Sequence, residues 1–197
     1  WTQDVLYTFA GDADGRSPNR NLVSDGTAVY GTTSAGGTTN LGTVFQLVPP
    51  ESGEGAWTKN TLYNFTGLPD GASPKAGLVL KNGKLFGTTS AGGDMDYGTV
   101  FQVKPPKQEG GDWQVSVIHS FTGGADGRLP YETLTARRSG KIYGATVGGG
   151  GFSKFGFGTI FSLTPPEAGQ TEWTEEILHG FDDHHDGNSP TKVFLDD

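Results

Sequence analysis

The chain of 197 residues has no Cys and a single Met. Without Cys it can form no disulfide and no thiolate metal site. That absence leaves the compartment open, because an oxidising environment permits disulfides without requiring them. Positive charge is scarce: 14 Lys and Arg stand against 22 Asp and Glu, a formal net charge of −8. A nucleic-acid binder needs a basic footprint, and so does docking onto anionic lipid, so neither partner is expected. No apolar run approaches membrane-spanning length, which excludes insertion as a helix. No segment carries a 3.6-residue apolar period bounded by caps, so almost no helix is expected. Apolar residues make up only 33%, and any core must be economical. Opening on Trp1 with neither Met nor a signal sequence, the chain reads as a mature or trimmed product.

Glycine is abundant. The 33 Gly are about 17% of the chain, against an average near 7%. With 11 Pro beside them, they rule out a helical bundle, since both residues weaken helix interiors. There is no Gly-X-Y period, so the chain is not collagen-like. Aromatics at 11% are enough to fill a core, which argues against disorder.

The glycines belong to a repeat. Trp1, Trp57, Trp113 and Trp173 each open one phrase: WTQDVLYTF, WTKNTLYNF, WQVSVIHSF and WTEEILHGF. An Asp-Gly pair follows each (Asp14, Asp70, Asp126 and Asp186 with their glycines), and then Ser-Pro or Leu-Pro. NLVSDGTAVYGTTSAGG and its counterparts come next, and GTVFQLVPP, GTVFQVKPP or GTIFSLTPP closes each full copy. The chain is thus one array, with repeats over 1–56, 57–112 and 113–172 and a partial copy over 173–197.

Each repeat reads as four short strands: Val5 to Phe9, one near Leu22-Val23, one around Val29 to Thr33, and Thr43 to Val48. Asp-Gly and Asn-Gly supply turns. Leu6 and Tyr7 are adjacent and both apolar, which predicts a strand buried on both faces. Four strands in a little over fifty residues is the unit of a β-propeller blade, as in kelch-type repeats. The expected fold is all-β: a propeller-type array of four-stranded antiparallel blades, about three and a half in this chain. Three arrangements fit: a fragment of a longer array, two chains closing a seven-bladed ring as a homodimer, or a different three-fold β architecture. A free half-repeat exposes strand edges and favours a shared or incomplete ring.

The phrases LYTFAGDADGRSPNRNLV, YGTTSAGG and GTVFQLVP, with their counterparts, resemble the bacterial Gloeobacter–Verrucomicrobia ("GloVer") tandem repeat. The resemblance covers nearly the whole chain. It implies a secreted or surface-anchored protein in which the repeats form a propeller-like scaffold, and it carries over no catalytic residues.

Residues present in every copy are needed for folding, so differences between copies are more informative. The repeated Asp of Asp-Gly reads as an Asx turn. Its other reading is a calcium ligand, for which Asp12, Asp14, Asp182 and Asp186 are the candidates; no other cofactor is expected. His119 and His179 replace Tyr7 and Tyr63 and read as packed rings beside the strand Phe. His184 and His185 have no counterpart, and beside carboxylates they could hold a metal or act as acid and base. Tyr131 and Glu132, with Arg137 and Arg138, suit a lyase or glycosidase acting on an acidic sugar, although Arg137-Arg138 is expected at the far end of its blade.

In an up-and-down blade the first-to-second and third-to-fourth loops share a face. That face gathers Asp12, Asp14, Arg16, Asn19, Arg20, Asp94, Asp96, Tyr97, Phe152, Lys154, Phe155 and the His pair. Its ligand-binding candidates are Arg16, Arg20, Tyr97, Phe152, Phe155 and His184, the aromatics being suited to stacking on sugar rings. No G-x-S-x-G or H-E-x-x-H motif occurs. The reading is an extracellular or cell-surface binding module for glycans or protein partners. The alternative is a polysaccharide lyase or hydrolase using Tyr131, Glu132, His184 or His185.

Overall fold

The computed structural model describes residues 2–108, 110–150, 156–182 and 187–194. Over these residues the chain is all-β: thirteen strands and one 3-10 turn at Asp12–Asp14. The strands are β1 (Arg16–Pro18), β2 (Val23–Ser24), β3 (Val29–Ala35), β4 (Thr43–Val48), β5 (Thr58–Asn64), β6 (Val79–Lys81) and β7 (Lys84–Thr89). Then come β8 (Thr99–Lys104), β9 (Gln114–Ser120), β10 (Thr135–Ala136), β11 (Ile142–Thr146), β12 (Thr159–Thr164) and β13 (Thr174–Gly180). They form three antiparallel sheets: β2-β3-β4-β5 with β1 also on β3, β6-β7-β8-β9, and β10-β11-β12-β13.

The sheets are out of phase with the Trp-to-Trp repeat by one strand. Each Trp-led strand closes the sheet that the preceding repeat began, β5 on β4, β9 on β8 and β13 on β12. Residues 5–9, read from the sequence as a strand, therefore have no ladder partner among the described residues and are not a strand. A strand exists by its pairing, and this segment keeps only its packing, with the Phe9 ring edge-on to Phe45 at 5.0 Å.

The adjacent apolar pair has a different cause from the one expected. In every sheet the last ladder shifts register at one point: Val44 faces Tyr63 but Phe45 faces Thr61, so Leu62 is an extra residue. Ile118 and Leu178 are the same extra residue in the other sheets. The bulge breaks the two-residue alternation and re-aims the next side chain, Tyr63 or His119.

The core lies between the sheets. Phe45, Phe101 and Phe161 are almost wholly buried, and each ring covers a glycine on the neighbouring strand. A Cβ on Gly31, Gly87 or Gly144 would lie 2.6, 2.5 or 2.4 Å from the ring Cζ. Successive sheets are joined by edge-on or tilted aromatic contacts: Phe65 with Phe101, Phe121 with Phe161, Tyr30 with Trp113 and Phe86 with Trp173. Beneath them, buried threonine hydroxyls pair at 2.8–2.9 Å: Thr33 with Thr43, Thr89 with Thr99, Thr146 with Thr159. These pairs explain the second Thr of GTT and the Thr of GTVF: each of these hydroxyls enters the interior with a partner.

Candidate functional site

Among the described residues, the repeated frame brings chemically different side chains of the copies together at two places. The first follows the Ser-Pro or Leu-Pro dipeptide. The residue before each proline has a left-handed φ: 57° at Ser17, 51° at Ser73, 57° at Leu129 and 50° at Ser189. Such a φ is unfavourable for a residue with a side chain, most of all for Leu, and persists only where the surroundings impose it. The turn sends the next three residues toward a common junction. There Asn19 Nδ2 donates to the Pro74 carbonyl at 2.9 Å, and Asn21 Nδ2 donates to Thr133 Oγ1 at 3.0 Å. Repeat one thus touches both repeat two and repeat three.

A pocket of about 570 Å³ opens at this junction, lined among others by Arg20, Asn21, Lys75, Tyr131, Glu132 and Thr133. These are equivalent positions of the repeat filled differently in each copy: Asn19, Lys75 and Tyr131 at one, Arg20, Ala76 and Glu132 at the next. The structure therefore brings together Arg20 with Tyr131 and Glu132, which the sequence assigned to separate schemes. Arg137 and Arg138 lie elsewhere, at the β10–β11 turn closed by the Gly140 N–H on the Arg137 carbonyl. Arg16 lies outside the pocket and donates from Nη2 to Asn40 Oδ1 at 3.3 Å. Tyr97 is half-buried, its ring over Gly123 and against the core between the second and third sheets. Phe152, Phe155, His184, His185 and Asp186 fall outside the described residues. A larger cleft of about 850 Å³, with Lys84, Lys104 and Trp173 in its walls, holds Asp94 of the expected binding face but none of the ligand-binding or catalytic candidates.

The second place is a node built from the seventh residue of a Trp-led phrase (Tyr7, Tyr63 or His119), the Asp of Asp-Gly, and the third residue of the next Trp-led phrase. The Asp accepts a hydrogen bond from the N–H four residues earlier: Ala10 to Asp14, Thr66 to Asp70, Thr122 to Asp126. This turn-closing role is the structural one expected of the repeated Asp. In repeat one the Tyr7 hydroxyl donates to Asp14, and the Lys59 ammonium, its side chain only 4% exposed, also reaches Asp14 at 3.0 Å. Burial works against the Asp14 charge, but the Ala10 N–H, Lys59 and Tyr7 together hold its carboxyl below the usual range. Both Asp14 oxygens thus take protein donors, and Lys59 supplies the cation at this candidate calcium ligand. In repeat two Tyr63 donates to Asp70 and the third position is Val115. Burial and then the Asp70 bond push the Tyr63 hydroxyl well above its ordinary pKa.

Repeat three changes two members at once. His119 stands for Tyr and Glu175 for Lys or Val. The His119 ring packs edge-on to Phe121 at 4.6 Å, as the tyrosines do on their own Phe. This is the packed aromatic role expected for it. Its Nε2 also lies 3.6 Å from Asp126 Oδ2 and 3.2 Å from Glu175 Oε1. Burial pushes the Glu175 carboxyl up to about 7, the Asp126 charge adding to the shift and His119 opposing it. Glu175 was not singled out from the sequence. The signal was present in the third position of the phrase, which reads Gln3, Lys59, Val115, Glu175, but it acquires meaning only once that strand is known to close the preceding sheet.

The natural variation sets a test. Lys59→Val, which installs the residue of the second copy, is expected to cost less than the roughly 3–5 kcal/mol of removing one partner from a fully buried ion pair, because Asp14 keeps the Ala10 N–H and the Tyr7 hydroxyl. Urea denaturation measures it; a loss above about 3 kcal/mol would show that Lys59 is required by the fold rather than tolerated.

Compared with known proteins, the chain matches the family model described as Gloeobacter/Verrucomicrobia repeat over residues 2–197. No curated protein and no solved structure gives a significant match.

Proposed function

Because the chain belongs to the Gloeobacter/Verrucomicrobia repeat family, we propose that it is an extracellular or cell-surface binding module, a propeller-like array whose junction pocket holds an acidic glycan. One observation carries this reading: four chemically distinct side chains, Arg20, Lys75, Tyr131 and Glu132, line one pocket at equivalent positions of a repeat that is otherwise closely kept. The pocket carries two cations to one anion in a chain of net charge −8. That inversion of sign selects an anion against the field of the rest of the molecule. Arg20 offers the planar fork that pairs with a carboxylate, and the exposed Tyr131 ring, 38% accessible, offers a face to the apolar C–H side of a sugar. Glu132 accepts from sugar hydroxyls.

Titration calorimetry with oligogalacturonate, and with a neutral oligosaccharide of the same length, tests the reading. Binding of the acidic oligomer alone, weakened at least about tenfold by Arg20→Ala or Tyr131→Ala, is the expected result. A charged contact or ring stack worth about 1.5 kcal/mol corresponds to that factor. Equal affinity for both oligomers, or none for either, overturns it. Release of an unsaturated uronic product from the same mixture would instead support the lyase alternative, with Tyr131 as the base.

A further inference from the structure

We infer that His119 and Asp126 of the third repeat and Glu175 of the partial fourth copy form a binding site for a divalent transition-metal ion of the zinc class. The three donor atoms lie within 4.8 Å of one another. In a tetrahedral zinc site, bonds of about 2.0–2.1 Å place neighbouring ligand atoms about 3.3 Å apart. The separations of 3.2 and 3.6 Å from His119 Nε2 to the two carboxylate oxygens bracket that edge. Asp126 Oδ2 already accepts the Thr122 N–H, whereas His119 Nε2 and Glu175 Oε1, inaccessible to solvent and 3.2 Å apart, make no well-aligned hydrogen bond. Orphaned buried polar atoms are costly unless something satisfies them, and one cation satisfies both.

The other copies say which charge is missing. In repeat one the same node holds Tyr7, Asp14 and the Lys59 ammonium, so a fixed cation sits against the carboxylate. In repeat two Val115 takes the Lys place, and the Asp70 charge is met by the Tyr63 hydroxyl and by the N–H and hydroxyl of Thr66. In repeat three the Lys position is Glu175, so the node gains a second carboxylate and loses its ammonium. Two carboxylates whose side chains are 12% and 18% exposed, facing one imidazole, form a donor set for an external cation. One nitrogen and two oxygens suit zinc or its neighbours, whereas calcium takes six to eight oxygens. The elements that hold the set are rigid: His119 follows the β9 bulge, Asp126 is fixed by the N–H and hydroxyl of Thr122, and Glu175 is in the β13 ladder.

The test uses the full chain stripped with EDTA and titrated with zinc chloride, calcium chloride serving as the contrast. The expected result is one zinc bound per chain, a raised Tm with zinc and none with calcium, and a zinc-induced shift of the His119 imidazole resonance. That resonance is identified by its loss in His119→Tyr. The double variant His119→Tyr/Glu175→Val recreates the node of repeat two, which this chain already folds, and is expected to bind zinc more than about 100-fold more weakly. Loss of ligands exceeds the ten- to hundredfold effect of an outer partner. Zinc affinity unchanged in the double variant, or an unmoved His119 resonance in the parent chain, overturns the site. If the double variant does not fold, the imidazole resonance of the parent chain decides alone.

Discussion

Phe101→Ala is expected to cost about 3–5 kcal/mol, the usual price of emptying a fully buried ring site. Phe101 is 0% exposed, lies on β8 in the second sheet, and meets the Phe65 ring edge-on at 5.1 Å. Phe65 follows the strand that closes the first sheet, so the deletion opens a cavity within one sheet and removes the aromatic contact that joins it to the next. Neighbouring aromatics cannot collapse into the gap, because Phe65 is itself held by its edge contact to Tyr63 at 5.3 Å. In a chain of this length the loss corresponds to a fall in Tm on the order of 10 °C. Scanning calorimetry together with urea denaturation measures both; a fall of only a degree or two would mean that the inter-sheet contact contributes little.

Gly87→Ala is the second large effect, about 1–3 kcal/mol or more from overpacking. Gly87 sits in the middle of β7, where nothing about its backbone turn calls for glycine. Its reason is space: an added Cβ would lie 2.5 Å from Phe101 Cζ and 2.8 Å from Leu78 Cδ2. Both neighbours are buried and cannot yield. The two substitutions are therefore coupled. Phe101→Leu shortens the ring that the new methyl strikes, so Gly87→Ala should cost less in that background. A double-mutant cycle reads the coupling directly. Strict additivity would show that the glycine is needed for something other than the ring.

The same glycine shows where sequence reasoning stopped. Glycines in Asp-Gly, Asn-Gly and SAGG are legible as turns because flanking residues announce the turn, and Gly92 and Gly93 indeed have φ of 74° and 78°. Gly31, Gly87 and Gly144 are announced by nothing local, since the ring that excludes a side chain comes from a strand fourteen or more residues later. The Leu6-Tyr7 pair misled in the same way. Two adjacent apolar residues read as a strand buried on both faces, whereas the equivalent pair Leu62-Tyr63 straddles a bulge whose existence depends on the partner strand. The His119 node was half legible. The change from Tyr to His stood out between copies, but its third member is Glu175, 56 positions away in a strand credited to the next repeat.

What the sequence determines by itself is whatever repeats in register with local chemistry. The all-β class, the four-strand unit, the turns and the family all follow, because strand propensity and turn dipeptides act over a few residues and recur in every copy. What the tertiary structure decided is which strand closes which sheet, and hence what each variable position faces. Pairing is satisfied by any strand of the right length, so the chain alone cannot say whether a Trp-led strand opens its own sheet or completes the one before. Once that choice is made, Lys59 meets Asp14, Glu175 meets His119, and Arg20 meets Tyr131 and Glu132 at one junction. Backbone hydrogen bonding set the frame through local rules, while the sites depend on distances between side chains that only the stacked sheets define.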